Sequence, residues 1–239
     1  MIAAYYDKSC DSRELFGSYR IAKADSYEKY LNQYTVIHLD ITMFTTQEKV
    51  SSVTDCINEQ VTDELREIYP DILSSERRNL PYALAEINDK TGERFVIIID
   101  EWDAIFRESR YDVEAQKEYV DLLRGLFKSE MSKRFVALAY MTGILPIKKY
   151  NSESALNNFD EFTMTSPAML AEYVGFTEEE VRTLCKGYDM DFDEAARWYD
   201  GCSFHRVSHV YSPNSVVKAM LRGEYSNYWT STVAYESLK

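Results

Sequence analysis

The chain has 239 residues, 45% of them hydrophobic and 14% aromatic, with only 8 Gly and 5 Pro. That is enough to bury a sizeable core as one or two domains, and it is the wrong profile for a disordered protein. A formal net charge of −13 argues against a broad polyphosphate-binding surface, which is net basic, and leaves room for a local basic pocket at most.

No apolar run approaches the roughly 18–20 residues of a membrane span. The stretch from Met1 to Tyr6 has no basic leader and is cut short by Asp7 and Lys8, so it does not read as a secretion signal. Cys10, Cys56, Cys185 and Cys202 form neither a CxxC pair nor a disulfide ladder. A reduced, cytoplasmic protein without a membrane segment is expected.

Taken in order, residues 2–7 read as a helix with no capping side chain, entered directly on an apolar face. A short helical stretch follows over about residues 12–22. Residues 34–41 (YTVIHLDI) read as a mostly apolar strand ending near an acid, with His38 as a satisfied core histidine. Between Gln47 and Tyr69, Val50, Val53, Ile57, Val61, Leu65 and Ile68 recur at spacings of three and four. That spacing predicts an amphipathic helix stopping before Pro70. A third helix is expected from Pro81 to Asp89, with Thr91-Gly92 as its turn into the next strand.

That strand dominates the sequence. Phe95-Val96-Ile97-Ile98-Ile99 runs straight into Asp100-Glu101-Trp102-Asp103 with no alternation of polar positions. Such a strand is buried on both faces, as in the middle of a parallel sheet covered by helices. Acids at its C-terminal end lie where open α/β sheets bind their ligands. In P-loop nucleotidases the first acid holds Mg²⁺ and the second polarises the attacking water. The same pattern also suits acids that cap the following helix, and the strand alone leaves both readings open.

Further on, residues 113–131 read as a helix with Val113, Val120, Leu123, Leu126, Phe127 and Met131 as its apolar stripe. Residues 135–143 form a second buried strand ending in Thr142-Gly143, and residues 161–164 a candidate further strand. The alternation of strand and helix implies right-handed crossovers and a parallel sheet. From about Ser166 the chain changes to short helices with clear punctuation. Thr177-Glu178-Glu179-Glu180 is a capping box stopping near Gly187; Asp191 starts a helix ending at Gly201; Pro213 opens one ending near Gly223. The expected organisation is an α/β core over residues 1–165 and a small helical subdomain over residues 166–239.

Thr142, at the end of the strand after the acids, occupies the place where related ATPases read the γ-phosphate, and Lys148 and Lys149 follow closely. These lysines read equally as a solvated loop. Cys202, His205 and His209 are too loosely spaced for a metal trio. There is no HExxH or GxSxG, and none of the 13 lysines has an acid two residues before it, which excludes a restriction-type nuclease core. A phosphate cradle requires GxxxxGK[ST]. Lys8-Ser9, Lys90-Thr91 and Lys128-Ser129 are the only Lys-Ser/Thr pairs, and none follows a glycine.

Residues 95–107 (FVIIIDEWDAIFR), 141–158 (MTGILPIKKYNSESALNN), 175–181 (GFTEEEV), 198–201 (WYDG) and 211–216 (YSPNSV) resemble the AAA-ATPase-like domain family. These are bacterial proteins in which an AAA-type core often precedes a PD-(D/E)XK nuclease-like domain. The resemblance spans nearly the whole chain.

It implies an α/β, P-loop NTPase-like (AAA/ASCE) parallel sheet flanked by helices, followed by a helical subdomain, with the first strand and P-loop missing. It also implies a fragment, or a product from an internal methionine, that lacks the family's C-terminal part. Carried by position, Asp100 becomes the Mg²⁺ acid and a nucleotide-binding residue together with Lys148. Glu101 becomes the water-orienting acid and Thr142 the sensor. Asp103 matches a second acid of open role, and Cys202 departs from the aromatic usual after the Asp-Gly pair.

The expectation is therefore Mg²⁺ and ATP binding with hydrolysis in the full-length protein. In this chain the Walker B half of the site is retained, ATP affinity is negligible and the fold is poorly stable. Nucleic acid would be reached only through the absent nuclease-like domain. The alternative is a non-catalytic AAA-like scaffold for protein partners.

Overall fold

A computed structural model describes residues 1–46, 53–73, 79–108, 112–146, 156–204 and 207–229. The chain divides into two compact units, Met1–Asp160 and Glu161–Lys239. The division falls a few residues before Ser166.

The first unit opens with α1 (Ile2–Tyr6), α2 (Arg13–Phe16), a 3₁₀ turn (Arg20–Lys23) and α3 (Tyr27–Tyr30). The single helix expected over residues 12–22 is thus two short pieces. Tyr5, Phe16, Tyr27 and Leu31 bury together into a small aromatic cluster, and the Tyr5 hydroxyl donates to the Tyr27 carbonyl at 3.0 Å. Then come β1 (Thr35–Asp40), α4 (Ile41–Thr45), α5 (Val53–Ile68), α6 (Leu80–Thr91), β2 (Phe95–Asp100), α7 (Ala104–Glu108), α8 (Val113–Phe127), α9 (Ser132–Phe135) and β3 (Val136–Met141). The first six residues of the helix expected from Gln47 lie outside the described residues.

The strands form one parallel sheet in the order β1-β2-β3. The register sets Asp40 beside Asp100, and Ile99 beside Met141, so all three strands end together. β2 occupies the middle. Its five apolar residues are all buried, as the uninterrupted pattern requires. Phe95, Ile97 and Ile99 join Ile37 and Leu39 of β1 in the main core, against Ile57 and Leu65 of α5, Leu84 and Ile87 of α6 and Leu123 and Leu126 of α8.

The opposite face of the sheet is covered less completely. His38, Ile98 and Tyr140 align across it; Ile98 is buried, while His38 is exposed and Tyr140 is 41% exposed. His38 is therefore not a core histidine: it sits on what is, among the described residues, an outer strand, on the thinly covered face. The expectation that residues 135–143 form a fully buried strand also needs correcting. β3 has β2 on one side and, among the described residues, no strand on the other, and Leu138 is exposed too.

Helix ends follow their local chemistry. Asn79 caps α6, Pro81 stands in its first turn, and Gly92 ends it at φ +75°. Asp112 caps α8, whose stripe is Ala115, Tyr119, Leu122, Leu123, Leu126 and Phe127. Val113, expected on that stripe, is exposed because it lies at the solvent-facing start of the helix, and Ile68 at the end of α5 is exposed as well.

The second unit contains a 3₁₀ helix (Ala168–Tyr173), α10 (Glu178–Tyr188), α11 (Phe192–Tyr199), β4 (Asp200–Cys202), β5 (Val210–Tyr211) and α12 (Pro213–Arg222). Residues 161–164 do not form a strand: Thr163 and Ser166 exchange backbone hydrogen bonds across a tight turn. The Thr177–Glu180 capping box is present, with both reciprocal bonds made. α10 runs through Gly187, and Asp189 ends it in the left-handed region, which Asp tolerates better than most residues. α11 stops at Tyr199 because Asp200 turns into β4, which pairs antiparallel with β5. Val181, Cys185, Tyr199, Tyr211, Val216 and Ala219 form the core of this unit.

Candidate functional site

The C-terminal edge of the parallel sheet gathers Asp40, Asp100 and Thr142 from three successive strands. Asp40 is occupied structurally. Its carboxylate accepts the Thr42 N–H at 2.9 Å and the Thr42 hydroxyl at 2.6 Å, capping α4. Asp100 is exposed at the end of the middle strand, where one carboxylate oxygen receives the Glu101 N–H at 3.1 Å and the Thr142 hydroxyl. Sequence position alone paired Asp100 with Thr142 only through strand order. The structure brings their side chains into contact.

The backbone fixes that contact. Thr142 N–H donates to the Ile99 carbonyl and Trp102 N–H to the Thr142 carbonyl, each at 2.9 Å, extending the β2–β3 pairing one step beyond the strands. Glu101 then takes φ +52°, a left-handed conformation that costs a non-glycine residue about 1–2 kcal/mol. This reverses the chain in time for α7, with Ala104 N–H on the Glu101 carbonyl at 2.8 Å. Neither the Asp100 nor the Glu101 carboxylate caps α7: Glu101 is held in an ion pair with Arg107.

Asp103 is fully buried. Its oxygens accept the N–H groups of Ile144 at 3.2 Å and Leu145 at 2.9 Å, so it grips the loop leaving β3. Arg107, one helical turn later and only 20% exposed, approaches Asp103 through Nε at 3.2 Å. That Nε makes no hydrogen bond, so the approach is a charge contact. Two acids, Glu101 and Asp103, thus share one guanidinium.

Beneath them the Tyr119 hydroxyl is buried without a partner. Burial first, and the Asp103 charge second, push its phenol well above the ordinary tyrosine range. Gly143 closes the site. A Cβ there would lie 2.5 Å from Trp102 Cδ1 and 2.6 Å from Asp103 Oδ1, so the loop reaches this position only because the side chain is absent.

Lys148 and Lys149 lie outside the described residues. The sequence marked Asp103 only as a second acid of open role, and assigned no role to Arg107 or Gly143. The i, i+4 spacing of Asp103 and Arg107 was a usable signal for the pair, whereas the grip of Asp103 on residues 144 and 145 spans a distance that no local pattern reveals.

In the second unit, of the Cys202, His205 and His209 trio, His205 is outside the described residues and His209 instead pairs with Asp200 at 2.6 Å across the β4–β5 hairpin. Among the described residues no cluster of three or more His, Cys, Asp or Glu could enclose a metal. A single exposed carboxylate beside a hydroxyl can still serve Mg²⁺, which usually takes one or two carboxylates and completes its shell with phosphates and waters.

The class defined by this fold and site is a mixed α/β domain with a three-stranded parallel sheet flanked by helices, compatible with an AAA-like fold, that presents polar side chains at its C-terminal edge. A family model described as predicted AAA-ATPase (AAA-ATPase_like) matches residues 1–151, and the chain belongs to that family. An uncharacterized protein in the vnfD 5' region of Azotobacter chroococcum mcd 1 is 28% identical over 144 residues, which is 59% of this chain. Those residues cover 27% of the relative, so the chain spans only about a quarter of that protein's length. No solved structure matches. Among the described residues, no helix is long and apolar enough to cross a membrane.

Proposed function

We propose that the β2–β3 edge is the metal-facing half of an ATPase site. The observation that carries this is the contact of the Thr142 hydroxyl with the exposed Asp100 carboxylate at the end of the middle strand, in a chain of the AAA-ATPase-like family. Asp100 would hold Mg²⁺, with Thr142 orienting it. Glu101 would position the attacking water. A bound Mg²⁺ would neutralise phosphate charge as the γ-phosphoryl group is transferred to water.

These 239 residues contain no GxxxxGK[ST], so a phosphate cradle would have to come from other residues, and ATP affinity in this chain alone should be negligible. Lys148 remains a candidate phosphate contact by sequence position only.

The test is Mg²⁺-dependent ATP hydrolysis by a protein that joins this domain to a phosphate-cradling loop. Asp100→Asn should reduce the rate at least a hundredfold. Equal rates for the variant and the unaltered protein would refute the assignment.

The absence of GxxxxGK[ST] also favours a second reading, a non-catalytic AAA-like scaffold for protein partners. It predicts no hydrolysis in any such protein and partner binding indifferent to Asp100→Asn.

A further inference from the structure

We propose that Arg107 is a positioning residue. Anchored on buried Asp103, it holds the Glu101 carboxylate and keeps it off the metal, so that Asp100 alone presents a carboxylate to the cation. This rests on the reading of Asp100 as the Mg²⁺ acid.

The geometry points to a clasp with one fixed jaw and one movable jaw. Asp103 cannot move: it is fully buried, and two backbone N–H groups of the loop after β3 fix both its oxygens. Arg107 is fixed through Asp103, because removing either member of a buried charge pair leaves the other uncompensated. Glu101 is the movable partner. Its side chain is 36% exposed, it lies next in sequence to Asp100, and its ion pair with Arg107 is the only side-chain bond described for its carboxylate.

Two carboxylates on adjacent residues would otherwise compete for the same divalent cation. A carboxylate bound to the metal is a poor acceptor for a water proton, so Glu101 can orient water only while it stays off the ion. Arg107 supplies that separation, and its planar fork can reach both acids at once where a lysine cannot. Its positive charge also weakens cation binding nearby.

The experiment uses the 239-residue chain without nucleotide and Mn²⁺ as the probe, with free ion read by electron paramagnetic resonance. Arg107→Gln should tighten Mn²⁺ binding roughly three- to tenfold, chiefly from the freed Glu101 carboxylate. The gain should shrink to less than about twofold when Glu101→Gln is added. In the presence of Arg107, Glu101→Gln alone should change the affinity by less than about twofold. Arg107→Lys keeps a counter-charge for Asp103 and covers the case in which Arg107→Gln does not fold; it should tighten binding by about two- to threefold.

If Arg107→Gln or Arg107→Lys leaves the affinity unchanged while Asp100→Asn abolishes binding, the clasp is refuted and the metal reading stands. If Asp100→Asn leaves Mn²⁺ binding intact in every background, the metal reading fails and takes the clasp with it.

Discussion

Replacing Gly143 with alanine tests the packing that joins β3 to the acidic turn. The added Cβ would sit 2.5 and 2.7 Å from the Trp102 indole and 2.6 Å from Asp103 Oδ1. Trp102 is 3% exposed and Asp103 fully buried, so neither can swing into solvent to make room. Relief would require moving the loop that Asp103 holds through Ile144 and Leu145.

Overpacking of this kind costs about 1–3 kcal/mol. Alanine recovers about 0.4–1 kcal/mol through the unfolded chain, since Gly143 has no positive φ. At mid-range values the net loss is about 1.3 kcal/mol, which for a unit of this size lowers the melting temperature by about 3–5 °C. The assay is a thermal melt followed by near-ultraviolet circular dichroism. Gly187→Ala serves as the control. Gly187 lies inside α10 with nothing within 4 Å of an added Cβ, so its replacement should leave the melting temperature unchanged or raise it. An unchanged melt for Gly143→Ala would refute the packing argument.

Tyr119→Phe removes a buried hydroxyl that has no partner, so it should be neutral or stabilising by about 1 kcal/mol in urea unfolding; a loss of about 2 kcal/mol or more would mean the hydroxyl is satisfied. Asp103→Asn replaces a buried acceptor of two N–H groups and the counter-charge of Arg107, so a loss of about 2–4 kcal/mol is expected, and a neutral result would contradict the grip on the β3 loop. The hydrogen bond to Asp200, and then its charge, raise the His209 pKa above the ordinary histidine value. The pair therefore favours the folded hairpin fully below the unfolded-state pKa, and that contribution fades as pH rises through the folded-state value. A titration of His209 by nuclear magnetic resonance should show its pKa falling in Asp200→Asn; no change would exclude the pair.

How much of this was legible in the sequence depended on how local each signal was. Phe95–Ile99 announced a buried central strand because five successive apolar residues leave no side for solvent, and the structure buries all five. Residues 34–41 and 135–143 looked similar, yet among the described residues both are outer strands, and pattern cannot distinguish the middle of a sheet from its rim. His38 was misplaced for that reason. The Thr177 capping box was readable because its two bonds lie within four residues, whereas Gly187 misled because a glycine can be tolerated within a helix as well as end one. The hairpin between Asp200 and Tyr211 gave no signal, since β4 and β5 are only three and two residues long. Of the candidate site residues, Asp100, Glu101 and Thr142 lie at strand ends, which the sequence marks. The i, i+4 spacing hinted at the Asp103–Arg107 pair, but the grip of Asp103 on residues 144 and 145, some forty residues away in sequence, became visible only in three dimensions.

On the proposed reading, Glu101 orients water beside an Asp100-held Mg²⁺. This is tested most directly by Glu101→Gln in a protein that joins this domain to a phosphate-cradling loop, with bound and hydrolysed ATP followed in the same sample. The account predicts that ATP stays bound with near-normal affinity while hydrolysis falls at least a hundredfold. Hydrolysis at the unaltered rate would contradict it.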